Sequence, residues 1–228
     1  PGLVEQERVH VAGHLDCPAG ERPILSIHLG DCDDLVAFDA RAQLATFGAG
    51  ATGPRIEAEL RPRGYMLGHY PQSFEYSTLG GWIVTRSSGQ QSLRYGRVEQ
   101  LFAGGRMETP AGTLTIPTFP ASAAGPDLRE LVLGSEGRFG VLTEATVRVT
   151  PLPAHESFHA IFFPAWDAAV DAVRTLAQRR LPLSMLRLSN PLETLTNLVV
   201  AGHPGLVALL ERYLALRGCG AGKCMLML

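Results

Sequence analysis

The chain has 228 residues, 46% of them hydrophobic and 18% charged. That is enough apolar material for a real core, in one large or two small domains. A net charge of −2 offers no basic face to nucleic acid, and no run of about eighteen apolar residues offers a membrane span.

Taken in chain order, residues 1–14 show no basic-then-apolar leader pattern. His10 and His14 are spaced for metal binding on a helix, but Val9, Val11 and Gly13 argue against a helix there. Residues 24–29 alternate apolar and polar, a turn follows at 30–33, and 35–38 and 44–47 continue the strand pattern. Gly48-Ala49-Gly50-Ala51 leads to Thr52, an N-cap for a helix over 53–60 that Pro62 and Gly64 end. Glu57 and Glu59 read as its solvated face. Strands are predicted over 98–106 and 114–116, around a turn at 109–112, and over 142–149.

Thr150-Pro151-Leu152-Pro153 reads as a linker, since proline stops both helix and central strand. Beyond it a strand at 158–163 precedes an amphipathic helix over 164–180 with Val170, Val173, Leu176 and Ala177 on one face. A strand at 183–188, helices at 192–200 and 206–216, and an apolar strand from Cys224 complete the pattern. Mixed short strands and helices make the class α+β. The four cysteines, Cys17, Cys32, Cys219 and Cys224, form no C-x-x-C pair. They read as free thiols of a reducing, cytoplasmic compartment, with no metal expected.

Two glycine-punctuated stretches carry the chemistry. Residues 71–89 read PQSFEYSTLGGWIVTRSSG, and residues 133–146 read LGSEGRFGVLTEAT. Glycine lets backbone N–H groups approach a ligand closely, and hydroxyls add hydrogen-bonding groups. Either stretch alone is also explained by a capped turn. Together they resemble the FAD-linked oxidase family, the vanillyl-alcohol-oxidase or PCMH type of flavoprotein, and within it the alkyldihydroxyacetonephosphate synthase branch. The resemblance runs from about residue 24 to about residue 190.

That resemblance implies a PCMH-type FAD-binding domain over 1–150, its N-terminal lobe largely missing, and the start of a ferredoxin-like substrate or cap domain over 151–228. The family's P-x-G-G-G-T-S loop has no counterpart before residue 24, where Glu5, Glu7 and Asp16 stand instead. The chain therefore looks like the middle of a larger protein. The implied cofactor is FAD. Its implied contacts in the first stretch are Pro71, Gln72, Ser73, Phe74, Glu75, Tyr76, Ser77, Thr78, Gly80, Gly81, Thr85, Arg86, Ser87 and Ser88. In the second they are Glu136, Gly137, Arg138, Phe139, Gly140, Val141 and Leu142. Ser73, Ser77 and Thr78 would offer hydroxyls, Gly80 and Gly81 backbone donors, and Glu136 an acceptor for ribose or adenine. Gln72 departs from the aspartate of the synthase branch, which bears on the exact activity more than on flavin binding.

Arg187 resembles the arginine that faces the flavin in the synthases, where its planar fork suits a phosphate or carboxylate. The bland alternative is a solvated edge-strand arginine. His69, just before the first stretch, is placed to approach the flavin, but reads more simply as a hydrogen-bonded structural histidine. The activity implied is an FAD-dependent oxidoreductase, or a synthase-like transferase exchanging an acyl for an alkoxy group, acting on a small anionic substrate. Two alternatives stay open: a dehydrogenase of glycolate or D-lactate type, and a non-catalytic remnant without tight flavin binding. No nucleic acid and no integral membrane segment are expected as partners, and a homodimer is compatible with the reading.

Overall fold

A computed structural model describes residues 27–228. The readings placed on Glu5, Glu7, His10, His14, Asp16 and Cys17, and the start of the strand at 24–29, lie outside the described residues. The chain divides between Leu152 and Pro153 into two units.

The first unit is built on a five-stranded antiparallel sheet. Its strands are β1 (Leu35–Asp39), β2 (Leu44–Gly48), β4 (Phe102–Thr109), β5 (Gly112–Ile116) and β6 (Val141–Arg148). Their spatial order is β1-β2-β6-β4-β5. Asp39 closes the first hairpin by accepting from the N–H groups of Arg41 and Ala42 at 2.8 and 2.9 Å, while Gln43 takes a left-handed φ of 55°. The second hairpin turns where sequence places it. Thr109 Oγ1 donates to the Gly112 carbonyl at 2.7 Å, and Gly112 has φ 119°. Central β6 does not alternate cleanly as expected: Leu142, Ala145, Thr146 and Val147 are all buried, and its register against β4 shifts between Arg106 and Met107.

Helix α1 (Gly53–Leu60) buries Gly53, Ile56, Glu57 and Leu60. Thr52 stands at its N-cap position, yet its hydroxyl makes no cap bond; its backbone instead bridges Thr78. A 3₁₀ turn at Arg61–Arg63 and left-handed Gly64 end the helix. Helices α2 (Leu79–Val84), α3 (Ser92–Tyr95), α4 (Val98–Leu101) and α5 (Leu128–Val132) follow. The core gathers Phe47, Phe102, Ile56, Leu60, Leu79 and Ile83, all fully buried. Each such side chain contributes about 1.5–3 kcal/mol of transfer free energy.

The strand expected over 98–106 begins later. Val98 and Leu101 are both buried three residues apart, which is helical spacing, and Gln100 Oε1 accepts from Arg97 N–H at 2.9 Å to start the turn. The linker is tied down at its start. β7 (Thr150–Pro151) pairs with β3 (Tyr65–Met66), and Leu152 N–H donates to the Gly64 carbonyl at 2.9 Å.

The second unit holds β8 (Ala160–Phe163), α6 (Trp166–Gln178), β9 (Arg187–Ser189), α7 (Pro191–Val200), α8 (Pro204–Leu216) and β10 (Cys224–Met227). All pairings are antiparallel in the order β9-β10-β8. The third strand inserted between the first two is the split arrangement of ferredoxin-like folds. The inner face of α6 is Ala169, Ala172, Val173 and Leu176, while Val170 and Ala177 face solvent. The predicted stripe was thus rotated by one position: 169, 172, 173 and 176 keep the i, i+3, i+4, i+7 rule, and Val170 lies about 100° off it. Cys219 and Cys224 are buried, unbridged thiols, and burial pushes the Cys224 thiol up. No helix among the described residues is long and apolar enough to cross a membrane.

Candidate cofactor site

The approach to the first segment is fixed by a buried carboxylate. Glu57 belongs to the Gly53, Ile56, Leu60 stripe of α1, so it points inward, not to solvent as its sequence neighbours suggested. Its Oε1 accepts from Leu67 N–H at 3.0 Å, and Oε2 lies 3.2 Å from Arg61 Nε. Burial pushes this carboxyl above its usual range, opposed by its backbone bonds and Arg61. Gly68 follows at φ 76°, where a Cβ would meet the Tyr95 ring. His69 comes next and is wholly buried. Its ring lies 5.0 Å from that of Trp82, and Nε2 is 3.2 Å from Ser87 Oγ. Nδ1 has no hydrogen-bond partner among the described residues. Burial pushes its pKa down to about 4, against the pull of Glu99.

The hydroxyls and glycines of the first segment are largely engaged by the protein itself. Ser73 donates to Ser77 Oγ at 2.9 Å. Ser77 donates to the Ser73 carbonyl at 2.7 Å and accepts from the Trp82 indole at 2.6 Å. Thr78 caps α2 by accepting from Gly81 N–H at 3.3 Å. Gly80 N–H donates to the Ala49 carbonyl at 2.8 Å, and a Cβ on Gly80 would lie 2.9 Å from Ala49 Cβ. Gly80 is therefore a packing glycine. A Cβ on Gly81 would meet only Thr78 Oγ1, at 3.3 Å. Pro71 is buried, Phe74 stacks on Trp82 with ring planes 12° apart, and Thr85 Oγ1 donates to the Gly81 carbonyl at 2.8 Å.

The second segment is welded to the first at the C-terminal end of α2. A helix leaves its last four carbonyls without helical partners. Here the Gly81 carbonyl receives Thr85, the Trp82 carbonyl receives Ser87 N–H at 2.9 Å, and the Ile83 carbonyl receives Gly134 N–H at 3.4 Å. The Val84 carbonyl receives Glu136 N–H at 2.9 Å. Two non-glycine residues at this joint are left-handed: Arg86 at φ 54° and Glu136 at φ 50°. Arg86 crosses Gly134, where a Cβ would touch its side chain, and pairs with Glu130 of α5 at 2.6 Å. Gly137 is also left-handed at φ 77°, with a Cβ position that is almost open. Gly140 lies against the Glu108 carbonyl, and Leu142 is a core residue.

The polar groups left over lie on both segments. The side chains of Gln72, Glu75, Ser88, Glu136 and Arg138 are exposed and carry no protein partner among the described residues. Tyr76 and Phe139 are exposed aromatics. Acceptors, a cation, aromatic surface and an open left-handed turn at Glu136–Gly137 suit a ligand with phosphate, sugar and ring parts. FAD has all three, so the residues present fit it. Arg187 belongs to the second unit. Its Nη2 lies 2.7 Å from Glu193 Oε1 in the first turn of α7, and its other donors have no partner among the described residues. It is thus neither unpaired nor a purely solvated edge residue.

Of the residues named from sequence, the structure brings the ends of the two glycine segments together around α2. Sequence reasoning missed the buried roles of Glu57 and of His69 Nδ1. The Gly53, Ile56, Glu57, Leu60 spacing would have revealed the first; nothing in the sequence marks the second.

A family model described as an FAD binding domain matches residues 10–116. The alkyldihydroxyacetonephosphate synthase of Dictyostelium discoideum is 36% identical over 185 residues, 81% of this chain and 30% of that protein. The synthase of Caenorhabditis elegans is 34% identical over 180 residues, 78% of this chain and 30% of the relative. The D-lactate dehydrogenase of Archaeoglobus fulgidus is 31% identical over 154 residues, 64% of this chain and 33% of the relative. A solved alkyldihydroxyacetonephosphate synthase structure superposes with a TM-score of 0.80 at 33% identity, over 89% of this chain and 37% of that one. The chain thus spans about a third of the length of the synthases it matches. With both glycine segments in place, and a fold shared with solved synthases, the chain belongs to the FAD-linked oxidase family, whose cofactor is FAD.

Proposed function

We propose that this protein serves an FAD-dependent enzyme of the alkyldihydroxyacetonephosphate synthase-like type, acting on a small anionic substrate. The observation that carries the reading is the similarity to the synthases over 81% of the chain, a length that takes in both segments. When bound, FAD supplies the electron-accepting ring; the chain supplies position and electrostatics. Gln72, Ser88, Glu136 and Arg138 are the groups free to hold the cofactor. Arg187 is the anion clamp: Glu193 holds one nitrogen of the guanidinium, and the remaining donors suit a phosphate or carboxylate.

A second reading, a 2-hydroxy acid dehydrogenase, is favoured by the likeness to a D-lactate dehydrogenase. One experiment separates the two. The purified flavoprotein is given either an acylated glycerone phosphate with a long-chain alcohol, or D-lactate. The first reading expects an alkyl ether product without net bleaching of the flavin absorbance. The second expects bleaching by D-lactate and no ether product. Neither outcome would leave both readings without support.

A further inference from the structure

We propose that His69 is a positioning residue of the flavin site: its neutral imidazole donates from Nε2 to Ser87 Oγ and so turns the Ser87 hydroxyl into a hydrogen-bond donor toward the cofactor. This rests on the reading above that residues 86–88 border the flavin.

Three observations carry it. The ring is wholly buried, clamped on Trp82, and in hydrogen-bond contact with Ser87 at 3.2 Å. Its backbone is held from the other side, since Glu57 fixes Leu67 two residues earlier. The Ser87 turn is itself braced. Arg97 Nη2 donates to the Arg86 carbonyl at 3.0 Å, and Val98 N–H donates to the Ser87 carbonyl at 3.3 Å. The imidazole therefore meets a hydroxyl carried on a braced backbone.

The tautomer follows from what Nδ1 lacks. A buried N–H without an acceptor is rarer and costlier than a buried lone pair without a donor. With no partner at Nδ1, the ring proton belongs on Nε2, facing Ser87. The hydroxyl then accepts from His69 and its own hydrogen is free to point elsewhere. Ser87 is only half-buried, so that hydrogen can reach a bound acceptor: a phosphate oxygen or a ring carbonyl or nitrogen of the flavin. Charged groups near the ring are Glu99 and, paired with it at 3.3 Å, Arg97. Burial outweighs Glu99 and keeps the ring neutral at physiological pH.

The test uses imidazole ¹⁵N resonances and a double-mutant cycle read by FAD affinity from flavin fluorescence. At pH 7 the wild type should show the Nε2–H tautomer of His69. His69→Phe keeps the aromatic contact with Trp82 and removes the hydrogen bond, so it should weaken FAD about tenfold, which is about 1.4 kcal/mol. Ser87→Ala should weaken FAD similarly, and the double variant no more than either single one. His69→Asn, whose amide can still donate, should recover part of the loss. Thermal melts of each variant report whether the fold is intact. A protonated or Nδ1–H imidazole at pH 7, or additive losses, would overturn the proposal. Ser88→Ala checks the underlying reading separately. Unchanged FAD affinity in both Ser88→Ala and Ser87→Ala would remove residues 86–88 from the flavin site and the proposal with them. Loss in those two but none in His69→Phe would overturn the role of His69 alone.

Discussion

Adjacent glycines in the first segment do different work. Gly80 is buried against Ala49, whose Cβ and carbonyl would lie 2.9 and 3.0 Å from an added Cβ. Gly80→Ala should therefore destabilise by about 1–3 kcal/mol, the usual range for overpacking. Gly81 has only the Thr78 hydroxyl nearby, so Gly81→Val should leave a folded protein that binds FAD weakly. Denaturant melts and flavin fluorescence on the two variants check the pair, and equal effects on stability would contradict it. Arg187→Lys should keep flavin content while losing most turnover, because an ammonium cannot hold Glu193 and a planar anion with one fork. Steady-state rates with flavin absorbance on the same sample decide that. His69 also sets a pH dependence. Its folded pKa of about 4 lies below the ordinary histidine value near 6.5, so burial favours the neutral ring. The stability it confers is complete above about pH 6.5 and is lost as pH falls toward 4. Between pH 8 and pH 5 that loss is about 2 kcal/mol. Unfolding free energies at the two pH values should fall less in His69→Phe than in wild type, and identical falls would contradict the burial account.

At the scale of elements, α2 explains why two glycine segments occur together. It is six residues long, and the second segment satisfies two of its terminal carbonyls. Left-handed Arg86 and Glu136 mark the joint. Such a conformation costs a non-glycine residue about 1–2 kcal/mol. Arg86 has compensation in its pair with Glu130; Glu136 has no side-chain partner. Glu136→Gly should therefore be as stable as wild type or up to about 1 kcal/mol more so, while FAD affinity falls. Calorimetry beside a flavin titration reads both, and a destabilised variant would show that Glu136 is structural. Several elements were legible because their signals are local: the turn at 109–112 joins β4 to β5, and Pro62 and Gly64 lie where α1 ends. The exceptions have physical reasons. Val98 and Leu101 look like strand residues until their three-residue spacing is weighed, and a buried Glu57 defies the rule that charge faces water. The motif hydroxyls suggested ligand contacts, but Ser77 and Thr78 bond the turn itself, which only the three-dimensional path of the chain reveals.

At the scale of the molecule, the first unit carries both glycine segments and the second carries Arg187. The family was legible from the paired segments, whose residues recur in order. The division of labour inside them was not, because which hydroxyl caps a helix and which is left for a ligand depends on contacts such as Trp82 with Ser77. The central claim is that the two segments, joined through α2, form one FAD surface. Amide hydrogen exchange on the protein with and without saturating FAD tests it most directly. The account predicts slowed exchange together in residues 72–89 and 134–141, with little change in the β1–β2 hairpin. Protection confined to one segment, or absent from both while FAD is bound, would contradict it.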